Sequence, residues 1–120
     1  MKILVVDDSK AMRMIIMRTL KTAGLGGHEF LQAASGAEGL EMVSKESPNL
    51  ILSDWNMPEM SGIEFLKELR KSGDNTAFGF ITSESGAEVS KTAIESGAKF
   101  LITKPFTPEK FENTLSPILS

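Results

Sequence analysis

Short apolar runs alternate with amphipathic stretches along the whole chain. Lys2 to Val6 (KILVV) is apolar on both faces, the pattern of a strand buried inside a parallel sheet. Ser9 to Ala23 then sets Met12, Ile15, Ile16, Thr19, Leu20 and Ala23 at helical spacing, with Arg13, Arg18 and Lys21 opposite. Gly24, Gly26 and Gly27 end that helix. Glu29 to Ala33, Leu50 to Ser53, Phe78 to Thr82 and Lys99 to Thr103 read as four further strands. Ser35 to Glu46, Ser61 to Ser72, Glu84 to Ser96 and Thr107 to about Leu119 read as four further helices, the third with Ile63, Leu66 and Leu69 inward.

The helix starts support this reading. Ser35-Gly-Ala-Glu38, Ser61-Gly-Ile-Glu64 and Ser85-Gly-Ala-Glu88 each have a hydroxyl followed three residues later by Glu, the capping-box spacing. Thr107-Pro108 places a cap before a proline suited to the first helical position. Five strands alternating with five helices through short loops predict an α/β fold, a parallel sheet covered by helices on both faces. Two positions strain the pattern. Pro117 lacks an amide hydrogen, so the last helix is expected to end near Leu115 or kink there. Gly79, between Phe78 and Phe80, leaves room beside a strand.

Composition narrows the class. At 120 residues, with 41% hydrophobic and 24% charged residues, the chain holds one domain, residues 1–120, able to bury a core unaided. There is no cysteine, so disulfides and thiolate metal sites are excluded and a cytoplasmic setting fits. The first apolar run stops at Asp7, too short for a signal peptide or membrane span. Net charge is −3 with scattered cations, which argues against nucleic acid as a partner. Ending at a helix with no linker suggests a free-standing domain, and a monomer is expected.

In an open α/β sheet, ligands bind beyond the carboxyl ends of the strands. Asp7 and Asp8 follow the first strand and Asp54 the third; Thr82 and Ser83 end the fourth, Lys104 and Pro105 the fifth. Taken singly, the Asp pair could cap a helix, Asp54 could serve a turn, and Thr82-Ser83 could cap the fourth helix. Together they converge as three carboxylates, a hydroxyl pair and an ammonium. Carboxylates this close repel, and Mg²⁺ resolves the conflict by accepting one or two of them together with phosphate oxygens. A carboxylate beside such a cation can attack phosphorus covalently, with Lys104 and Thr82 meeting the equatorial oxygens. His28, the only histidine, reads as a solvated loop residue.

Val5-Val6-Asp7-Asp8-Ser9, Asp54-Trp55-Asn56-Met57-Pro58, Ile81-Thr82-Ser83-Glu84 and Lys104-Pro105-Phe106-Thr107 together resemble the motifs of two-component response-regulator receiver domains of the single-domain CheY-like type. The resemblance spans the chain. It implies a flavodoxin-like doubly wound sheet of order 2-1-3-4-5, with Asp54 as phosphoacceptor. It further implies Mg²⁺ held by Asp8, Asp54 and the Asn56 carbonyl, with Asp7 acting through water. Lys104 would contact the phosphoryl group, Thr82 would move toward it, and the Lys104-Pro105 peptide would be cis. Asn56 and Glu84 would flank the route of attacking water, with Ser83 beside them. The phosphodonor would be a CheA-like histidine kinase. The output would be a protein docking on the face of the fourth and fifth helices, a motor switch protein being one candidate.

One departure bears on the switch. The family's usual aromatic lies three residues before the Lys, where this chain has Leu101, and its neighbour Phe100 must face the other way. Either Leu101 moves less visibly, or the signal travels through the fourth helix and its preceding loop. Two rivals stand beside a pure switch. An aspartyl-phosphate hydrolase would use the same Asp, Lys and Mg²⁺, but usually wants a second acid two residues on, where Asn56 stands. A receiver acting as phosphate sink or inhibitor is the other. The switch catalyses only its own phosphorylation and dephosphorylation, so no turnover enzyme is expected.

Overall fold

All five predicted strands form in the computed structural model, which describes residues 1–119. They are β1 (Lys2–Val6), β2 (Glu29–Ala33), β3 (Leu50–Ser53), β4 (Ala77–Thr82) and β5 (Phe100–Thr103). Every pairing is parallel and the order is β2-β1-β3-β4-β5, the flavodoxin-like arrangement expected. The helices are α1 (Lys10–Leu20), α2 (Gly36–Glu46), α3 (Gly62–Lys71), α4 (Ala87–Glu95) and α5 (Pro108–Leu119).

Strand alternation divides the core into two layers. Leu4, Val6, Ile51, Phe78 and Phe80 pack with Val43, Phe65, Leu66 and Leu69 on the α2, α3 and α4 side. Ile3, Val5, Leu50, Leu52, Ile81 and Ile102 pack with Ile16, Leu20, Phe111 and Leu115 on the α1 and α5 side. Phe100 and Leu101 divide the same way, Phe100 toward α1 and α5 and Leu101 toward the opposite layer.

Gly79 has its reason here. It pairs with Phe100 across β4 and β5, and a Cβ at position 79 would enter the Phe100 ring. The glycine lets the ring lie on the sheet. Gly79→Ala is expected to destabilise the fold by roughly 1–3 kcal/mol, the usual range for overpacking. In urea unfolding, adding Phe100→Ala should remove much of that penalty relative to Phe100→Ala alone; strict additivity would refute the clash.

The caps form unevenly. Ser61 and Glu64 make the full capping box. The Ser35 hydroxyl accepts from the Glu38 amide, but the Glu38 carboxylate accepts from Ala34 instead of Ser35. The expected box at Ser85 does not form: Gly86, at φ 112°, takes the cap position and α4 starts at Ala87. Thr107 caps α5 by accepting from the Lys110 amide. That helix runs through Pro117 to Leu119, the end its period predicts, and does not stop at Leu115, one of the two effects expected of the proline. A proline so near the helix end removes one amide donor and disturbs only the last turn, which the helix tolerates.

Two further expectations shift. In α1 the buried row is Ile16, Met17 and Leu20, while Ile15 is 44% exposed. The chain then makes a wide turn over Lys21–Leu25, with Gly24 left-handed at φ 91°. His28 is half-buried, its Nδ1 enclosed and without a hydrogen bond, not solvated as expected.

Candidate functional site

The order of the strands reverses between β1 and β3, and that is where crevices open in doubly wound sheets. Val6 pairs with Ser53 across these strands, so the residues that follow, Asp7 and Asp54, emerge side by side. Asp8 joins them: carboxylate oxygens of Asp7, Asp8 and Asp54 all lie within 4.8 Å of one another. Asp7 is buried, Asp54 half-buried and Asp8 exposed, so the group forms a graded cleft open on the Asp8 side.

Each carboxylate is oriented differently. Asp7 Oδ1 accepts the Ser9 amide hydrogen at 2.9 Å, whereas Asp7 Oδ2 is buried without a hydrogen bond. Asp54 Oδ1 accepts the Trp55 amide hydrogen at 2.7 Å, which turns Oδ2 toward the cluster. Lys104, carried by the end of β5, puts Nζ 3.7 Å from Asp7 Oδ2 and 3.8 Å from Asp54 Oδ2. One ammonium thus faces three acids, and the site stays short of positive charge. A buried carboxylate oxygen with no donor, aimed into a cluster of acids, suits a hard divalent cation.

Burial pushes the Asp7 carboxyl above the usual carboxylate range, although the Ser9 amide favours the ionised form; Asp54 raises it further and Lys104 opposes. A raised native pKa means the stabilising share belongs to the protonated form. It is complete below the unfolded pKa and lost as pH rises through the native one. At pH above that raised native pKa, Asp7 therefore weakens the metal-free fold. Asp7→Asn is expected to raise stability there in chelator-treated protein. The gain should shrink as pH falls into the carboxylate range. Thermal unfolding across pH tests this, and a difference that does not vary with pH would contradict it.

Thr82 ends β4 fully buried, and its Oγ1 accepts the Glu84 amide hydrogen at 3.1 Å. Asn56 Nδ2 donates to Glu84 Oε1 at 2.9 Å, joining the loop after β3 to the loop after β4. Ser83 is exposed beside them. The Lys104-Pro105 peptide is cis, as the resemblance implied. Leu101 lies half-buried on the side of the sheet facing α2, α3 and α4.

Two supporting residues escaped sequence reasoning. Gly62 N–H donates to the Trp55 carbonyl at 2.8 Å, and a Cβ at position 62 would strike the Asp54 carbonyl oxygen. Ser53, buried at the end of β3, donates its hydroxyl to that same carbonyl at 2.9 Å. Only the Ser61-Gly62 helix start hinted at the first; nothing in the sequence hinted at the second. Trp55 packs on Phe80 with ring centroids 4.8 Å apart, which ties the loop to the core.

A family model described as the response regulator receiver domain matches residues 3–116. A chemotaxis protein CheY homolog from Campylobacter jejuni is 39% identical over 122 residues, covering 99% of this chain and 92% of that protein. Chemotaxis protein CheY1 of Helicobacter pylori is 38% identical, covering 99% of this chain and 97% of that one. The solved structure of chemotaxis protein CheY4 from Vibrio cholerae superposes with a TM-score of 0.86 at 37% identity, covering 98% of both chains.

Proposed function

The chain belongs to the response regulator receiver domain family, and on that premise we propose that Asp54 is its phosphoacceptor and Mg²⁺ its cofactor. Receiver domains are phosphorylation-activated signalling switches and not turnover enzymes. The observation that carries the assignment is a three-carboxylate cleft in which the buried Asp7 Oδ2 has no hydrogen bond and is faced by the Lys104 ammonium at 3.7 Å.

Asp8, Asp54 and the Asn56 carbonyl would hold the cation, with Asp7 behind them. Bound there, Mg²⁺ would neutralise the acids and draw in phosphate oxygens. A carboxylate oxygen of Asp54 forms the bond to phosphorus as the bond to the donor's histidine nitrogen breaks, and the imidazole keeps the electron pair. Lys104 is close enough to Asp54 to meet the charge on the transferred group. The Thr82 hydroxyl is free to donate, because its hydrogen bond from Glu84 uses only an oxygen lone pair. Turning it toward the phosphoryl group would loosen the loop 83–86 that it now holds. With Leu101 in place of an aromatic, we assign the outgoing signal to that loop and to α4, read by a partner on the face of α4, β5 and α5.

The domain would span residues 1–120, act as a cytoplasmic monomer and take its phosphoryl group from a CheA-like histidine kinase. No described helix is long and apolar enough to cross a membrane. The output partner is a protein; a motor switch protein is the candidate that the CheY relatives suggest.

The direct test is intact mass after exposure to acetyl phosphate. One phosphoryl group should appear with Mg²⁺ and none with chelator; no gain in either would refute the assignment. The bond between Asn56 and Glu84 leaves an amide and a carboxylate at the mouth of the site, and we predict that the phosphoryl group decays within seconds to minutes. A signal lasting a day would contradict that. Small phosphomonoesters should show no sustained turnover, which separates the switch from a hydrolase.

A further inference from the structure

Asp8 is the carboxylate with the least support. Among the described residues no hydrogen bond or ion pair holds its side chain, and it is exposed. Its direction is therefore set by its backbone, above all by the peptide joining it to Asp7. That peptide is gripped from the α1 side. Arg13, on the first turn of α1, donates from Nη1 to the Asp7 carbonyl at 2.6 Å. The same guanidinium donates from Nε to Gln32 Oε1 at 3.0 Å, at the end of β2. On the other side of the residue, the Asp7 amide donates to the Ala33 carbonyl of β2 at 3.1 Å.

We propose that Arg13 is a positioning residue for the metal site: by bridging Gln32 and the Asp7 carbonyl it fixes the peptide from which the Asp8 carboxylate projects. This rests on the reading of Asp7, Asp8 and Asp54 as a Mg²⁺ site. The bridge is rigid because a planar guanidinium can use two nitrogens at fixed angles, which an ammonium cannot. It also accounts for a cation whose charge is not needed for pairing: among the described residues Arg13 has no carboxylate partner, and both its acceptors are neutral.

Charge and positioning predict opposite results. If Arg13 acted only through its charge, removing it would let Mg²⁺ bind more tightly, because a cation near a cation site repels. If it positions Asp8, removing it weakens binding despite that relief. Supporting groups around metal ligands typically contribute 10–100-fold in metal affinity. Arg13→Gln is accordingly expected to weaken Mg²⁺ binding by about 10-fold, the lower end of that range. Arg13→Lys keeps the charge but loses the two-pronged bridge, and should weaken binding by a smaller factor. Gln32→Ala, on the exposed rim, removes one prong without altering any charge and should also weaken it.

Mg²⁺ titration of the unphosphorylated full chain, followed by Trp55 fluorescence and by calorimetry, tests the proposal, with thermal unfolding run alongside. Weaker binding in Arg13→Lys and Gln32→Ala with folding intact supports it. Unchanged binding in Gln32→Ala together with unchanged or tighter binding in Arg13→Gln overturns it, as does lower stability with unaltered affinity. Should Arg13→Gln fail to fold, Gln32→Ala alone decides. Wild-type protein that binds no Mg²⁺, or Asp8→Asn that binds as well as wild type, would instead remove the metal-site reading itself.

Discussion

Asp54→Asn should take up no phosphoryl group under conditions that load the wild type, reducing the intact-mass signal to background. The chemistry allows no intermediate result. An amide has no anionic oxygen to form the bond to phosphorus, and the variant also loses one of the three acids of the proposed cation site. The local structure should survive, because the Asn oxygen can still accept the Trp55 amide hydrogen that Asp54 Oδ1 accepts at 2.7 Å. Removing one like charge from the cluster also eases repulsion, so thermal stability without metal should be equal or higher. Failure to load therefore could not be blamed on unfolding. A variant that gained phosphate as the wild type does would move the acceptor to another residue and end the assignment.

Lys104→Ala is the second large effect. Its ammonium lies 3.7 and 3.8 Å from Asp7 and Asp54, so on the proposed assignment it stands within reach of the oxygens transferred to Asp54. A preorganised donor that meets developing charge is commonly worth roughly 10²–10³-fold in rate. Loading from acetyl phosphate should slow by about that factor, with Asp54 still the acceptor. Mg²⁺ affinity should move the other way, equal to wild type or tighter, because a competing cation has been removed from the cleft. A variant that loaded at the wild-type rate would leave Lys104 as a structural counter-ion only. One that bound Mg²⁺ more weakly would place its role in building the metal site.

The two effects differ in kind, and the geometry explains why. On the proposed assignment Asp54 supplies the reacting atom, so its loss would be absolute. Lys104 would stabilise charge that Mg²⁺ would also stabilise, so its loss would be partial. Asn56 and Glu84 are bonded to each other across the loops after β3 and β4, where the proposed role would be to govern water instead of transfer.

Much of this was readable before any coordinate. Residue type and period determined the strands, because a sheet covered on both faces demands continuous apolar runs such as KILVV and LILS. The strand ends then determined where Asp7, Asp8, Asp54, Thr82 and Lys104 would meet, since a parallel sheet brings all carboxyl ends to one edge. Boundaries governed by single-residue geometry were less legible. Ser85 had the right spacing for a capping box, yet the adjacent Gly86 takes the cap through a backbone angle that spacing does not report. Pro117 reads as a helix breaker, but its effect depends on how many residues follow it, and here the helix nearly ends. Ile15 fitted the apolar stripe of α1, but the position of the helix over the sheet turns Met17 inward in its place.

What the sequence by itself determined was the fold class, the order of elements and the set of acids, because these follow from local period and from the rule that strands end at a common edge. What only the tertiary structure decided were contacts between residues far apart in the chain: Phe100 lying over Gly79, Gly62 against the Asp54 carbonyl, Arg13 bridging Asp7 and Gln32, and Asn56 bonded to Glu84. The physical reason is range. Periodicity records which face a residue presents, whereas a bond across the sheet edge depends on the packing of several elements at once, and no single segment carries that information.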